Sequence, residues 1–243
     1  IDFFVTPFDV PSVHFVEKLD VDRYKIASHG LTNLPLLTEV ANLEKPVLLS
    51  TGMSDIDEVA RAVEILREGV HDLAILHCVS SYPTPADEAR LDLIGALQKR
   101  FGVPIGYSGH EIGFLPSLIA IGVGAQIVER HITLDKTLEG FDHRLSLDPN
   151  ELSEMVEAIR EVESMFGLGE KQLTAKERIT RLKYQVSMVS SRPIRRGEAL
   201  GERDFVFKNP GTGLPPAQVH QLIGRRAKSD IDEDVVLLEE MFD

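Results

Sequence analysis

Short apolar runs recur along the first two-thirds of the chain, and longer stretches of helical spacing separate them. The runs Asp2–Thr6, Tyr24–Ala27, Pro46–Thr51, Leu73–Cys78, Val103–Ser108 and Ala125–Ile132 are continuous rather than alternating, which predicts six strands buried on both faces. Between them, Val59, Ala62, Val63 and Leu66 fall at i, i+3, i+4 and i+7 behind a Ser54-Asp55 cap, which predicts a helix over Ile56–Arg67. Leu91–Arg100 and Pro116–Gly122 follow the later strands as further helices. Repeated strand–helix units imply an α/β fold with a parallel sheet. Eight such units close a barrel in about 250 residues, whereas six are visible here in about 165. The expectation is a TIM-type (β/α)8 barrel lacking its N-terminal strands, and the opening IDFFVTPFD, inside a run and without an initiator Met, reads as a fragment. An open six-stranded α/β sheet is the alternative.

Past the runs, Pro149-Asn150 starts a helix to about Met165. Gly167–Gln172 and the basic helical segment Thr174–Lys183 read as a linker. The pattern then changes: Met188–Ser190, Phe205–Phe207 and Val235–Leu238 are short β-like runs between turns at Arg196-Gly197, Pro210-Gly211 and Asp230–Glu233. The predicted organisation is a partial barrel over residues 1–166, a linker over 167–185 and a small β-rich domain over 186–243.

Composition narrows the function classes. A hydrophobic content of 43% supports a sizeable core, and a net charge of −13 argues against a nucleic-acid surface. No apolar run approaches the roughly 20 residues of a membrane span, and the lone Cys78 cannot form an internal disulfide. These features favour a cytoplasmic protein whose anionic ligands are held by local positive charge.

That local charge is visible at the strand ends. Thr6, Lys25, Ser28, Ser50, Thr51 and Ser108 fall at or just past strand C-termini, the face on which barrel enzymes place their sites. Some of these hydroxyls serve equally well as helix caps. Lys25 is harder to dismiss, because an ammonium among Tyr24, Ile26 and Ala27 must find an anion or shift its pKa. His110 and His131 close neighbouring strands 21 residues apart, which puts them at one rim about 4.8 Å apart strand to strand. Two imidazoles there suit either a divalent metal or loop carbonyls. Glu129 shares a strand face with His131; it would orient a ligand or water, or pair with Lys25.

Nine motifs, in order, carry a resemblance to the sialic acid synthase family, the N-acetylneuraminate synthases and their legionaminic and pseudaminic relatives. They are FVTPFD (Phe4–Asp9), YKIAS (Tyr24–Ser28), LSTGM (Leu49–Met53), LHCVSSYPTP (Leu76–Pro85), GYSGHE (Gly106–Glu111), VERHITLD (Val128–Asp135), GFDHRLSLDP (Gly140–Pro149), SRPIRRG (Ser191–Gly197) and NPGTG (Asn209–Gly213). The resemblance implies condensation of phosphoenolpyruvate with N-acetylmannosamine, its 6-phosphate or a related sugar, with release of phosphate. It assigns phosphoenolpyruvate binding to Thr6, Lys25, Ser28, Ser50 and Ser108, with Ser80 standing where some members carry Asn. It assigns a divalent metal, manganese or magnesium, to His110 and His131, and sugar binding to Tyr82 and Asp142; Glu129, from its place beside them, is the further candidate for a catalytic role. It also implies that the C-terminal domain is an antifreeze-like (SAF) domain exchanged within a homodimer, with no nucleic acid or membrane partner. One departure concerns that domain: Asn209 stands where many bacterial members carry Arg, and the neighbouring Lys208 lacks the guanidinium fork. A Schiff-base aldolase using Lys25, or a non-catalytic carbohydrate-binding protein, are the rival readings.

Overall fold

The computed structural model describes residues 2–167 and 169–243. It divides into two compact units, Ile1–Leu168 and Gly169–Asp243.

Five parallel strands, β1 (Tyr24–Ile26), β2 (Val47–Ser50), β3 (Leu73–Cys78), β4 (Ile105–Gly109) and β5 (Ile127–Arg130), pair in chain order. Parallel neighbours need a crossover, and helices supply them: α2 (Leu34–Ala41), α3 (Ile56–Leu66), α4 (Leu93–Phe101) and α5 (Leu115–Gly122), with α1 (Val10–Glu17) ahead of β1 and α6 (Pro149–Ser164) after β5. The predicted stripe of α3 is buried as expected, at Val59, Ala62, Val63 and Leu66. Asp55 begins that helix in a reciprocal capping box with Glu58. Tyr24, Ile26, Leu49, Ile75, Ile105 and Tyr107 are buried between the sheet and these helices.

One predicted strand is not formed. Asp2–Thr6 makes a single parallel bridge, Val5 to Tyr24. Pro7 ends the pairing because it has no N–H to donate, and Phe3 and Phe4 stay exposed. A second bridge, Ile132 to Leu147, extends the far edge, a pairing that the sequence pattern did not show.

The sheet is strongly curled. Four strand intervals of about 4.8 Å would hold β1 and β5 roughly 19 Å apart if the sheet were flat. Yet Lys25 Nζ on β1 lies 3.4 Å from Glu129 Oε2 on β5, far closer than a flat sheet permits. The architecture is therefore a half-barrel whose concave face gathers side chains from its first and last strands.

The second unit is built on an antiparallel pair, β6 (Ser187–Ser190) and β7 (Phe205–Lys208). Met188, Ile194, Leu214, Leu237 and Phe242 are the centre of its core. The predicted strand Val235–Leu238 is reduced to an isolated bridge, Val236 to Val189. The stretch expected as a linker holds a helix, α7 (Ala175–Tyr184). It is tied to the Asn209–Gly211 turn, with Gly211 N donating to Leu182 O at 2.8 Å and Asn209 Nδ2 to Tyr184 O at 2.8 Å. A short α8 (Val219–Leu222) completes the unit. Among the described residues no helix is long and apolar enough to cross a membrane.

Candidate active site

Parallel register lines up the C-terminal strand ends. Cys78 pairs with Ser108 and Ser108 with Glu129, while Lys25 pairs with Leu48, two residues short of Ser50. Alternation then sends Lys25, Ser50, Ser108 and Glu129 to one face. They line a cavity of about 380 Å3 together with Thr6, Ser28, Ser80, Tyr82, His110 and His131. A larger, mostly apolar groove of about 610 Å3 lies beside it, lined in part by Ile56, Val59, Leu93 and Leu97. The convergent polar groups are in the smaller cavity, which is the better candidate on that ground.

Lys25 is 5% exposed and anchors the cationic end. Its Nζ donates to Ser50 Oγ at 2.8 Å and to Ile26 O at 3.3 Å, and it faces Glu129. Of the two roles open to Glu129, the ion pair with Lys25 is the one present. Its other oxygen accepts from Ser108 Oγ at 3.4 Å. Ser28 opens a single helical turn after β1 and accepts from Gly52 N at 3.0 Å. Ser80 Oγ is buried without a partner, a donor free for an incoming ligand. Thr51 differs from the other strand-end hydroxyls, because its Oγ1 is committed to Leu76 O at 3.1 Å.

At the opposite end, the His110 and His131 rings lie 5.3 Å apart between centroids, and Tyr82 covers His110 at 4.1 Å. His110 Nδ1 is 2.9 Å from Val79 O. A carbonyl only accepts, so Nδ1 carries the proton and the Nε2 lone pair is free to ligate. Asp142 lies beside His131, with Oδ2 3.7 Å from Nδ1. Burial works against a charged His110, but the Cys78 sulfur and the Val79 carbonyl outweigh it and hold its pKa above the usual imidazole value. Burial, helped by the charge of His110, pushes His131 below that value against the pull of Asp142. This donor set fits a divalent cation held by two imidazoles. Among the described residues no cluster of three or more His, Cys, Asp or Glu side chains is arranged to hold a metal, so most of the coordination sphere would be left to substrate and water.

Sequence reasoning missed Phe8, His29, Met53 and Cys78, which also line the cavity. Cys78 was findable, since it ends β3 as Ser50 ends β2. Phe8, from the loop before α1, and His29, from the helical turn after β1, reach the cavity as an edge-to-face pair, and no local pattern marks that contact.

The NeuB family matches residues 1–171, and the SAF domain matches residues 185–243. The chain belongs to the NeuB family. It is 44% identical over 236 residues to an uncharacterized protein of Methanocaldococcus jannaschii, covering 97% of this chain and 70% of that one. It is 35% identical over 243 residues to the N,N'-diacetyllegionaminic acid synthase of Legionella pneumophila, covering 98% and 68%. Among solved structures it is similar to the N-acetylneuraminic acid synthetase of Leptospira borgpetersenii in complex with citrate. That match has 37% identity and a TM-score of 0.70 over 74% of this chain and 63% of that one. The NeuB match spans the whole half-barrel unit and every lining residue of the cavity.

Proposed function

We propose that this NeuB-family chain condenses phosphoenolpyruvate with an N-acetylmannosamine-type sugar to give a sialic-acid-type nonulosonate and phosphate. The observation that carries this reading is the polarity of the cavity, with a buried lysine among hydroxyls at one end and paired imidazoles at the other. Lys25, with Ser28, Ser50, Ser80, Ser108 and Thr6, suits an anion carrying both phosphate and carboxylate. Tyr82 and Asp142 suit sugar hydroxyls beside the imidazoles. The methylene carbon of phosphoenolpyruvate forms the new C–C bond to the aldehyde carbon, whose oxygen takes up a proton to become a hydroxyl; water adds to the oxocarbenium centre left at the phosphate-bearing carbon, and phosphate departs from that carbon with C–O cleavage. As Lys25 turns from Glu129 to the departing phosphate, the freed Glu129 carboxylate would take a proton from that water. A divalent ion on His110 and His131 would supply Lewis-acid polarisation of the aldehyde oxygen. The domain-exchanged homodimer and the acceptor's phosphorylation state belong to the same proposal.

The test is phosphate release from phosphoenolpyruvate with N-acetylmannosamine or its 6-phosphate as acceptor. His110→Ala and His131→Ala should each abolish release while leaving the thermal transition in place. A double variant with near-normal turnover in the presence of chelator would sink the metal assignment. Lys25→Met should weaken phosphoenolpyruvate binding by roughly 1.5–3 kcal/mol, the scale of a charge-assisted bond, and calorimetry measures it directly. Unchanged affinity would reduce Lys25 to a structural ion-pair partner of Glu129. An imine with pyruvate, trapped by borohydride, would favour the aldolase reading instead.

A further inference from the structure

We propose that the buried pair Glu111–Arg130, on the opposite face of the sheet from the cavity, is a clamp that fixes the spacing of His110 and His131. The inference rests on the reading of those imidazoles as the metal-holding end of the site.

The geometry is direct. Gly109 pairs with Arg130 in the β4–β5 register, so the next residues, His110 and His131, leave the sheet side by side. Arg130 Nη1 donates to Glu111 Oε1 at 2.7 Å, and Nη2 donates to the Glu111 backbone oxygen at 2.8 Å. One guanidinium, immediately before His131, thus grips both the side chain and the main chain of the residue immediately after His110. Lysine could not make both bonds, because they use the planar fork.

The carboxylate is itself held from two further elements. Tyr107 Oη on β4 donates to Oε2 at 2.9 Å, and Ser117 Oγ on α5 donates to Oε1 at 3.2 Å. Gly109 has no room for a side chain: a Cβ there would lie 2.5 Å from Glu111 Oε2. The Gly-His-Glu order at the rim therefore follows from the clamp as much as from the cavity.

Stability alone is a poor reason for this arrangement. The two side chains are 2% and 5% exposed, and taking both charges out of water offsets most of their attraction. Arg130 Nε is moreover buried without a partner, so orientation is kept at the expense of one unmade bond. Neither residue lines the cavity, so both are positioning residues that act through the two histidines.

Two variants of the full chain separate positioning from folding. Arg130→Lys keeps the charge and loses the fork. Glu111→Leu/Arg130→Met removes both charges and keeps an apolar filling. Thermal unfolding reads the fold, the nuclear Overhauser effect between the two imidazoles reads their spacing, and calorimetric titration with manganese(II) reads the donor pair. Both variants are expected to unfold cooperatively, to lose the inter-imidazole effect and to bind manganese(II) about 10-fold or more weakly. A double variant that matches the wild type in both readouts overturns the clamp. Loss of cooperative unfolding in both variants also overturns it, by assigning the pair to fold stability. If the wild type shows the inter-imidazole effect but binds no manganese(II), the metal reading fails, and the Overhauser comparison still decides the clamp.

Discussion

Gly52 shows how tightly single residues constrain the anionic end of the cavity. A Cβ at this position would lie 2.2 Å from Ser80 Oγ and 2.9 Å from Ser28 Oγ. Gly52→Ala must therefore push both hydroxyls away, and overpacking of this kind costs roughly 1–3 kcal/mol. Phosphoenolpyruvate affinity, measured by calorimetry, is expected to fall more than the thermal midpoint does, because the displaced atoms belong to the cavity rather than the core. The legibility of the site follows the same physics. Lys25 was visible in the sequence because a charge inside an apolar run demands an explanation. His110 and His131 were visible because their separation matches one strand–helix unit. The Glu111–Arg130 pair was not, since its 19-residue separation carries no period and the contact exists only once β4 and β5 are in register.

Helix starts were more legible than strand limits. Asp55 caps α3 as the sequence predicts, its carboxylate accepting from Asp57 N and Glu58 N at 2.9 Å each while its own N–H donates to Glu58 Oε2 at 2.9 Å. Asp55→Ala should destabilise the chain by about 1 kcal/mol, a fall of about 2–4 °C in thermal midpoint for a chain of this size. Differential scanning calorimetry checks it. Asp148 caps α6 and Thr174 caps α7 in the same reciprocal way, and both helices start where the sequence places them. Strand limits depend on partners instead. Asp2–Thr6 and Val235–Leu238 are apolar enough for strands but form only isolated bridges, because composition does not reveal how many neighbours an edge segment will find. Those edges are where sequence reasoning overcounted.

At the scale of the molecule, the unit boundary after Leu168 puts α7 with the SAF residues rather than with the half-barrel. The sequence shows the basic helical segment Thr174–Lys183 but not its partner, so it reads as part of a linker. Under the proposed function, with its domain-exchanged homodimer, the SAF unit is expected to serve the sugar of the other subunit's site and not its phosphoenolpyruvate. Removing residues 186–243 should accordingly raise the KM for the sugar and leave that for phosphoenolpyruvate nearly unchanged. Equal changes in both constants, or a sugar constant that does not move, would remove the SAF unit from the site. The curl of the sheet has a consequence of its own. Lys25 and Glu129 belong to the first and last strands of the arc yet meet across the cavity, so their ion pair straps the two ends together, and a ligand filling the cavity from Lys25 to His131 spans the same gap. Local opening of β1 or of β5 would then release the ligand, and ligand binding must oppose both openings by mass action. Amide hydrogens of Ile26 and Arg130, on strands that never pair with each other, are expected to slow their exchange together when phosphoenolpyruvate binds.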